Sequence, residues 1–340
     1  MTDKTSDPLS HIRAAAEVHF GAPVLRIETP GGSARASCRV VFEDRTIIAT
    51  HRVNFRRTHL EAMVLKDLSD RCDAVPKFLG LRDDTLFQGD VGRHRLNVVA
   101  AKADEIAAED LADQAVGAIF AYQIAARDLS DRLPLPPLGA SETWVDGLVG
   151  AVDALRPMGP GLPRSFDRTI LAEILMTKPR RFVKWDCRSG NAALDDAGTL
   201  RWFDFEYCGL RHGAEDFAWL IADEVWPVPP ATMIEVLRDN YRDHFDEGFD
   251  DWLSYLSFYT VFHALQRMRL IVDEVKVRGW KSKARIRDRD DVGIHPEFAA
   301  ALCATGAFFA DRDRRTAGLV PAFEAAQSRF LRLLEKKQVA

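Results

Sequence analysis

Residues 182–209 read FVKWDCRSGNAALDDAGTLRWFDFEYCG, and within them Asp186, Asn191 and Asp204 are the residues with chemical potential. Asp186 follows a short apolar run of strand character, Phe182-Val183. Asn191 comes five residues later, and Gly190 lets the loop between them turn sharply. Asp204 lies at the end of a second strand, flanked by Trp202, Phe203 and Phe205. A carboxylate among aromatic rings is costly to bury unless a cation meets it. Mg²⁺ is a hard ion that takes oxygen ligands and shares them with phosphates, and Asn191 and Asp204 offer oxygens of that type. Phosphoryl transfer also needs a carboxylate that orients an acceptor hydroxyl and takes its proton, and Asp186 is the candidate.

Moving outward, two composition regimes flank this stretch. From about residue 24 to 92 the text is β-rich: VLRIE, SCRVVFE and TIIATHRV are strand-like runs, and TPGGSARA between the first two is a glycine-bearing turn. RTHLEAMVLKDLSD then places Leu60, Met63, Val64 and Leu68 at helical spacing, and DTLFQGDV reads as a further strand. From about residue 98 the chain is helical. An Ala-rich run ends in LPLPPLG, where prolines stop it. SFDRTILAEILMTK follows, with Ser165 as the expected N-cap. After Gly213 come AEDFAWLIADEVW, PATMIEVLRDNYRDHF, a long run beginning DWLSYLSFYTVFHAL, and PAFEAAQSRFLRLLEKK. The order is a small β lobe, then a large helical lobe with a β hairpin set between helices.

The spacing D-x-x-x-x-N, followed by a hairpin and a second aspartate, resembles the catalytic loop and metal segment of protein kinases. It is more similar still to the aminoglycoside phosphotransferases and choline/ethanolamine kinases, whose segments typically read H-[GN]-D-x-x-x-x-N and [IF]-D-[FW]-E. Here they read Asp186-Cys187-Arg188-Ser189-Gly190-Asn191 and Phe203-Asp204-Phe205-Glu206. DFEYCG at 204–209 is similar to choline kinases, as is DFAWL at 216–220, where Asp216 matches a structural aspartate of such enzymes.

The resemblance implies a bilobal, protein-kinase-like α+β fold, with a β-rich nucleotide-binding lobe over residues 1–95 and a helical lobe over 96–340. It implies ATP and Mg²⁺ as cofactors, Asp186 as the catalytic carboxylate, and Asn191 and Asp204 as metal ligands. The expected activity is phosphorylation of a hydroxyl on a small molecule, an amino alcohol or an aminoglycoside-like compound. A nucleotide-binding regulatory module without turnover is the second expectation, because two family residues are missing. Lys184-Trp185 stands where His-Gly or His-Asn is usual, and the strand that carries the family's phosphate-binding lysine reads Ile47-Ile48-Ala49-Thr50-His51-Arg52. Strand alternation puts His51 and Arg52 on opposite faces. His51 is the match by register and Arg52 the better permanent cation. Glu61 supplies the helix glutamate. Lys184 and Arg188 are expected to contribute positive charge beside Asp186, Gly32 and Ser33 to meet phosphate through backbone N–H groups, and Gln88 to border the adenine hinge. For the acceptor, Asp223, Glu224, Trp226, Tyr255 and Tyr259 combine acids with aromatics, which suits a cationic amino or quaternary ammonium compound.

Composition narrows the remaining classes. A net charge of -5 is not that of a nucleic-acid binder, and the arginine cluster at 278–289 is interleaved with acids, so it reads as a solvated loop or helix end. No apolar run approaches the roughly 18 residues of a membrane span. Five widely spaced cysteines and a polar start predict no disulfide framework and a cytoplasmic setting.

Overall fold

The computed structural model describes residues 8–30, 35–159, 161–163, 166–176, 180–241 and 247–338. Helix α1 (Pro8–Phe20) precedes strands β1 (Arg26–Glu28), β2 (Ser37–Val41) and β3 (Thr46–His51), then α2 (Phe55–Leu68), β4 (Phe78–Arg82) and β5 (Thr85–Gly89). These strands form one antiparallel five-stranded sheet in the order β1-β2-β3-β5-β4. Its two faces follow the period-2 alternation of β3. Ile47 and Ala49 join Val40, Phe42 and Phe87 in a core closed by Ile12, Ala15 and Ala16 of α1. Ile48 and, one residue past the strand, Arg52 face the interlobe cleft. The sequence reading missed α1 and β4. In β4, Gly80 sits at φ +142°, and a Cβ there would run into the His19 ring of α1. The glycine that weakens the strand signal is what lets the helix pack on it.

The rest is mainly helical. Short β6 (His94–Arg95), α3 (Leu96–Ala100), α4 (Glu105–Ala125), α5 (Glu142–Val149) and α6 (Arg168–Leu175) come first. Strands β7 (Arg181–Val183), β8 (Ala192–Leu194), β9 (Leu200–Trp202) and β10 (Gly209–Arg211) follow, with β8 and β9 as a hairpin beside β6, and β7 paired to β10. Next are α7 (Glu215–Ile221), α8 (Pro230–Asn240), α9 (Phe249–Arg278), α10 (Lys283–Arg289), α11 (Pro296–Asp311) and α12 (Val320–Gln338). Asp167 caps α6 by accepting from the Thr169 N–H at 2.9 Å, while Ser165 lies outside the described residues. The 30-residue α9 is buried along most of its length and is the axle of the helical lobe. Among the described residues no helix is long and apolar enough to cross a membrane.

The side chains of the arginine cluster at 278–289 are solvated, as the interleaved acids suggest: Arg278, Arg285 and Arg289 are exposed. The second half of the cluster forms α10, which crosses to the cleft. Arg287 C=O accepts from Asn97 Nδ2 at 3.1 Å, Arg289 C=O accepts from Arg35 Nη2 at 2.6 Å, and Asp290 lines the cleft. The alternating charges hid a contact made mainly by backbone.

Candidate active site

The loop after β7 is set by backbone geometry and buried carboxylates. Trp185 and Asp186 both lie in the left-handed region, at φ 62° and 48°, as does Asp204 at 65°. Asp tolerates that region and Trp rarely does, so Trp185 is the outlier. Asp216 of α7 holds the turn. Its fully buried carboxylate accepts from Lys184 N, Trp185 N and Tyr122 Oη at 2.8 Å each, and from Gln123 Nε2 at 3.2 Å. Asp223 holds the next turn, accepting from Ser189 N at 2.8 Å and Ser189 Oγ at 2.6 Å. Asn191 Nδ2 donates to both Asp186 C=O and Asp186 Oδ2 at 2.9 Å, joining the two ends of the D-x-x-x-x-N loop.

Arg52 is the hub of the cleft. It donates to Glu61 Oε2 at 2.7 Å and to Asp204 Oδ1 at 2.8 Å, and pairs with Glu206 Oε2 at 3.1 Å. Glu61 is fully buried, and its other oxygen accepts from Phe205 N at 2.9 Å. Burial lowers the arginine's proton affinity, but the three carboxylates outweigh it and the net shift is upward. His51 is a correction: its ring points to the opposite face, 3.3 Å from Thr85 Oγ1 and 4.6 Å, at a tilt, from the His11 ring. The alternation of β3 sends residue 51 toward α1 and residue 52 toward the cleft.

The other expected cations take different places. Arg188 Nε donates to Asp186 Oδ1 at 2.9 Å, and its Nη1 lies 3.4 Å from Asp290 Oδ1. Burial would raise the Asp186 pKa, but Arg188 holds it below the ordinary carboxylate value, so Asp186 is ionised at neutral pH. Lys184 is fully buried. Its Nζ donates to the carbonyls of Trp185 (3.4 Å) and Asp186 (3.3 Å) and lies 5.4 Å from the Phe205 ring centroid, so it braces the loop from inside and does not line the cleft.

A cleft of about 270 Å³ joins the sheet to this loop, with Ile48 and Gln88 on one side and Asn191 and Asp204 on the other. Gln88 is nearly buried, and its Oε1 has no hydrogen-bond partner among the described residues. Gly32 and Ser33 lie outside the described residues. Two lining residues were not anticipated. Arg95, at the end of β6, faces the cleft beside Asp290. Asp290, from the far end of the chain, packs over Gly190 so closely that a Cβ there would strike its carboxylate. Neither carries a local sequence signal, because both reach the cleft through tertiary crossings. Among the described residues no cluster of three or more acidic, His or Cys side chains has metal-holding geometry. Asn191 and Asp204 supply one oxygen-bearing side chain each, which fits Mg²⁺, an ion usually held by one or two protein groups plus phosphates and water. Asp204 keeps Oδ2 free of hydrogen bonds among the described residues, and its side chain is one-third exposed in the cleft.

The acceptor residues read from sequence are structural. Asp223 carries the Ser189 turn, and burial with the neighbouring Glu224 pushes its pKa up to about 6. Glu224 accepts from Arg267 through both oxygens and from Gly293 N at 2.7 Å. Trp226 Nε1 contacts Met233 Sδ, Tyr255 Oη donates to Glu215 Oε1 at 2.8 Å, and Tyr259 is wholly buried. The cavity beside the loop is lined instead by Trp144, Trp185, Trp219, Gln266, Arg267, Arg269, Leu270 and Asp273. Of these, Trp185 adjoins the motif, and Trp219 is an acid-and-aromatic candidate that the late helices already offered in the sequence.

No family model and no curated protein matches the sequence. Solved structures do match in fold. A choline/ethanolamine kinase family protein from Mesorhizobium loti superposes with a TM-score of 0.55 at 14% identity, covering 93% of this chain and 99% of that one. The GDP complex of an aminoglycoside 2'-phosphotransferase gives 0.54 at 17% identity, covering 88% and 97%. A macrolide 2'-phosphotransferase from Brachybacterium faecium gives 0.51 at 14% identity, covering 86% and 97%. The chain therefore has the bilobal, protein-kinase-like α+β fold common to the aminoglycoside phosphotransferase and choline kinase structures.

Proposed function

We propose that this chain is an ATP- and Mg²⁺-dependent phosphotransferase that phosphorylates a hydroxyl of a small molecule, with residues 1–95 as its nucleotide-holding lobe and 96–340 as the lobe that carries the chemistry. The observation that carries the reading is the Arg52 fork, which ties Glu61 of α2 to Asp204 while Asp186 and Asn191 are hydrogen-bonded to each other. This is the ion-pair logic of phosphoryl-transfer sites with arginine in place of lysine. Arg52 and Arg95 supply charge for the phosphates, and Gln88 borders the base. Asn191 and Asp204 would hold Mg²⁺, whose contribution is to neutralise charge developing on the transferred group. Asp186 accepts a hydrogen bond from the acceptor hydroxyl and orients it. The hydroxyl oxygen forms a bond to the γ-phosphorus as the bond from that phosphorus to the β–γ bridging oxygen breaks. The nucleoside diphosphate leaves and the hydroxyl proton passes to the Asp186 carboxylate. Arg188 keeps that carboxylate ionised and in place.

A thermal-shift titration with ATP, with and without Mg²⁺, followed by ADP release across an acceptor panel, tests the reading. Asp186→Asn should cut turnover by about 10²–10⁴-fold, the range of a positioned acid–base group, with nucleotide binding retained. Undiminished turnover in Asp186→Asn would overturn it. Metal-dependent binding without transfer to any acceptor would leave the regulatory module as the better description.

A further inference from the structure

The cavity beside Asp186 is walled by indoles. Trp144 and Trp185 ring centroids are 5.8 Å apart, and Trp185 and Trp219 are 6.0 Å apart. Each outer indole is backed by a buried group. The Arg211 guanidinium lies 4.8 Å from the Trp144 centroid, and the His263 ring lies 4.2 Å from that of Trp219. Trp185 is fixed through its own N–H, held by Asp216. The wall is thus preorganised, and a ligand meeting it orders few side chains. Trp185 directly precedes Asp186 in the chain, and Arg267, which also lines the cavity, is near enough to act electrostatically on the Asp186 carboxylate.

Charge decides which ligand fits. Arg267 is neutralised by Glu224, and Asp273 by Lys276 at 2.8 Å. Arg269, which donates to Gly147 C=O at 3.3 Å, leaves the lining with a positive surplus. Trp144 already carries a cation on one face. A cationic acceptor would find here a single carboxylate, Asp273, already paired at the surface with Lys276, and an indole whose π density is already engaged. A neutral ring places its slightly positive C–H edges on the indole faces, and its hydroxyls within reach of planar polar groups at the rim. Gln266 is such a group, with no hydrogen bond among the described residues. The cavity, about 350 Å³, is in the size range of small-molecule sites.

We infer that the acceptor is a neutral polyhydroxylated ring compound, a sugar or cyclitol, stacked on Trp144, Trp185 and Trp219 with one hydroxyl directed to Asp186. This rests on the phosphotransferase reading and narrows its acceptor, away from the cationic compound expected from sequence.

Saturation-transfer NMR and calorimetry on the full chain with ADP present read the pocket without requiring turnover. The probes are methyl α-glucoside and myo-inositol against choline and kanamycin. At least one neutral probe should bind ten times or more tighter than either cation, and Trp144→Leu should weaken it at least tenfold with ADP affinity unchanged. If Trp144→Leu does not fold, Gln266→Ala, at a partly exposed position, carries the same test with an expected loss of about threefold or more. Tighter binding of choline or kanamycin, binding of no probe, or neutral binding that no folded variant weakens would overturn the inference. Neutral binding without ADP release from ATP would overturn the phosphotransferase reading and leave the pocket assignment standing.

Discussion

At the residue scale, one guanidinium decides how the cleft is organised. Arg52 meets Glu61, Asp204 and Glu206 together, which an ammonium cannot do with the same fork of donors. Arg52→Ala leaves the Glu61 carboxylate buried with only the Phe205 N–H as partner. Removal of one member of a buried pair costs about 3–5 kcal/mol, so urea unfolding should show a loss of that order. Arg52→Lys should keep most of the stability and lose Mg²⁺-dependent nucleotide affinity, measured by calorimetry. The sequence made the choice between His51 and Arg52 a choice between faces of β3, and it could go no further. Which face is cleft and which is core depends on α1, whose Ala-rich, weakly amphipathic text announces no helix. Asp186, Asn191 and Asp204 were legible because loop chemistry is local. Arg95 and Asp290 were not, because their positions follow from how distant elements cross.

At the element scale, α7 anchors the loop that carries Asp186. Asp216 accepts four hydrogen bonds, two from α4 (Tyr122 and Gln123) and two from the loop after β7 (Lys184 and Trp185). Asp216→Asn replaces one acceptor oxygen with a donor that faces donors. The expected cost is about 1–3 kcal/mol for each buried group left unmet, seen in chemical denaturation, together with a fall in turnover larger than the fall in nucleotide affinity. Element-level reading also explains why the acceptor residues were misplaced. Tyr255 and Tyr259 do share a face of α9, with ring centroids 6.1 Å apart. That face turns to Arg211 and Glu215 and away from any cavity. A helix buried almost all round has no outward stripe, so its periodicity cannot say which neighbour each face meets.

At the scale of the whole molecule, burial of neutral histidines links stability to pH. His263 is fully buried, with neither ring nitrogen hydrogen-bonded among the described residues, and desolvation, with Arg267 nearby, lowers its pKa to about 3. Desolvation and the neighbouring Arg181 bring His212 to about 3 as well. From about pH 6.5 down to 3 these groups bind protons in the unfolded chain and not in the folded one. The stability that these two groups contribute is therefore greatest above pH 6.5 and declines as pH falls through that window, by about 1.4 kcal/mol per pH unit for each group. Asp223 has the opposite slope, since its pKa is raised. His263→Phe isolates the histidine term: unfolding free energies measured from pH 7 to 4 should fall less steeply than in the parent chain. An unchanged slope would show that His263 is not the proton sink.

The paired left-handed residues Trp185 and Asp186 set the order in which the protein fails. Such positions cost about 1–3 kcal/mol each and persist only while their surroundings insist on them. Here the insistence comes from Asp216 and from the Lys184 ammonium inside the turn. On warming, this turn gains more from relaxing than the helices around it, so it should let go first. Any turnover should be lost several degrees before the molecule's helical signal changes, and recover on cooling as long as those helices stay packed.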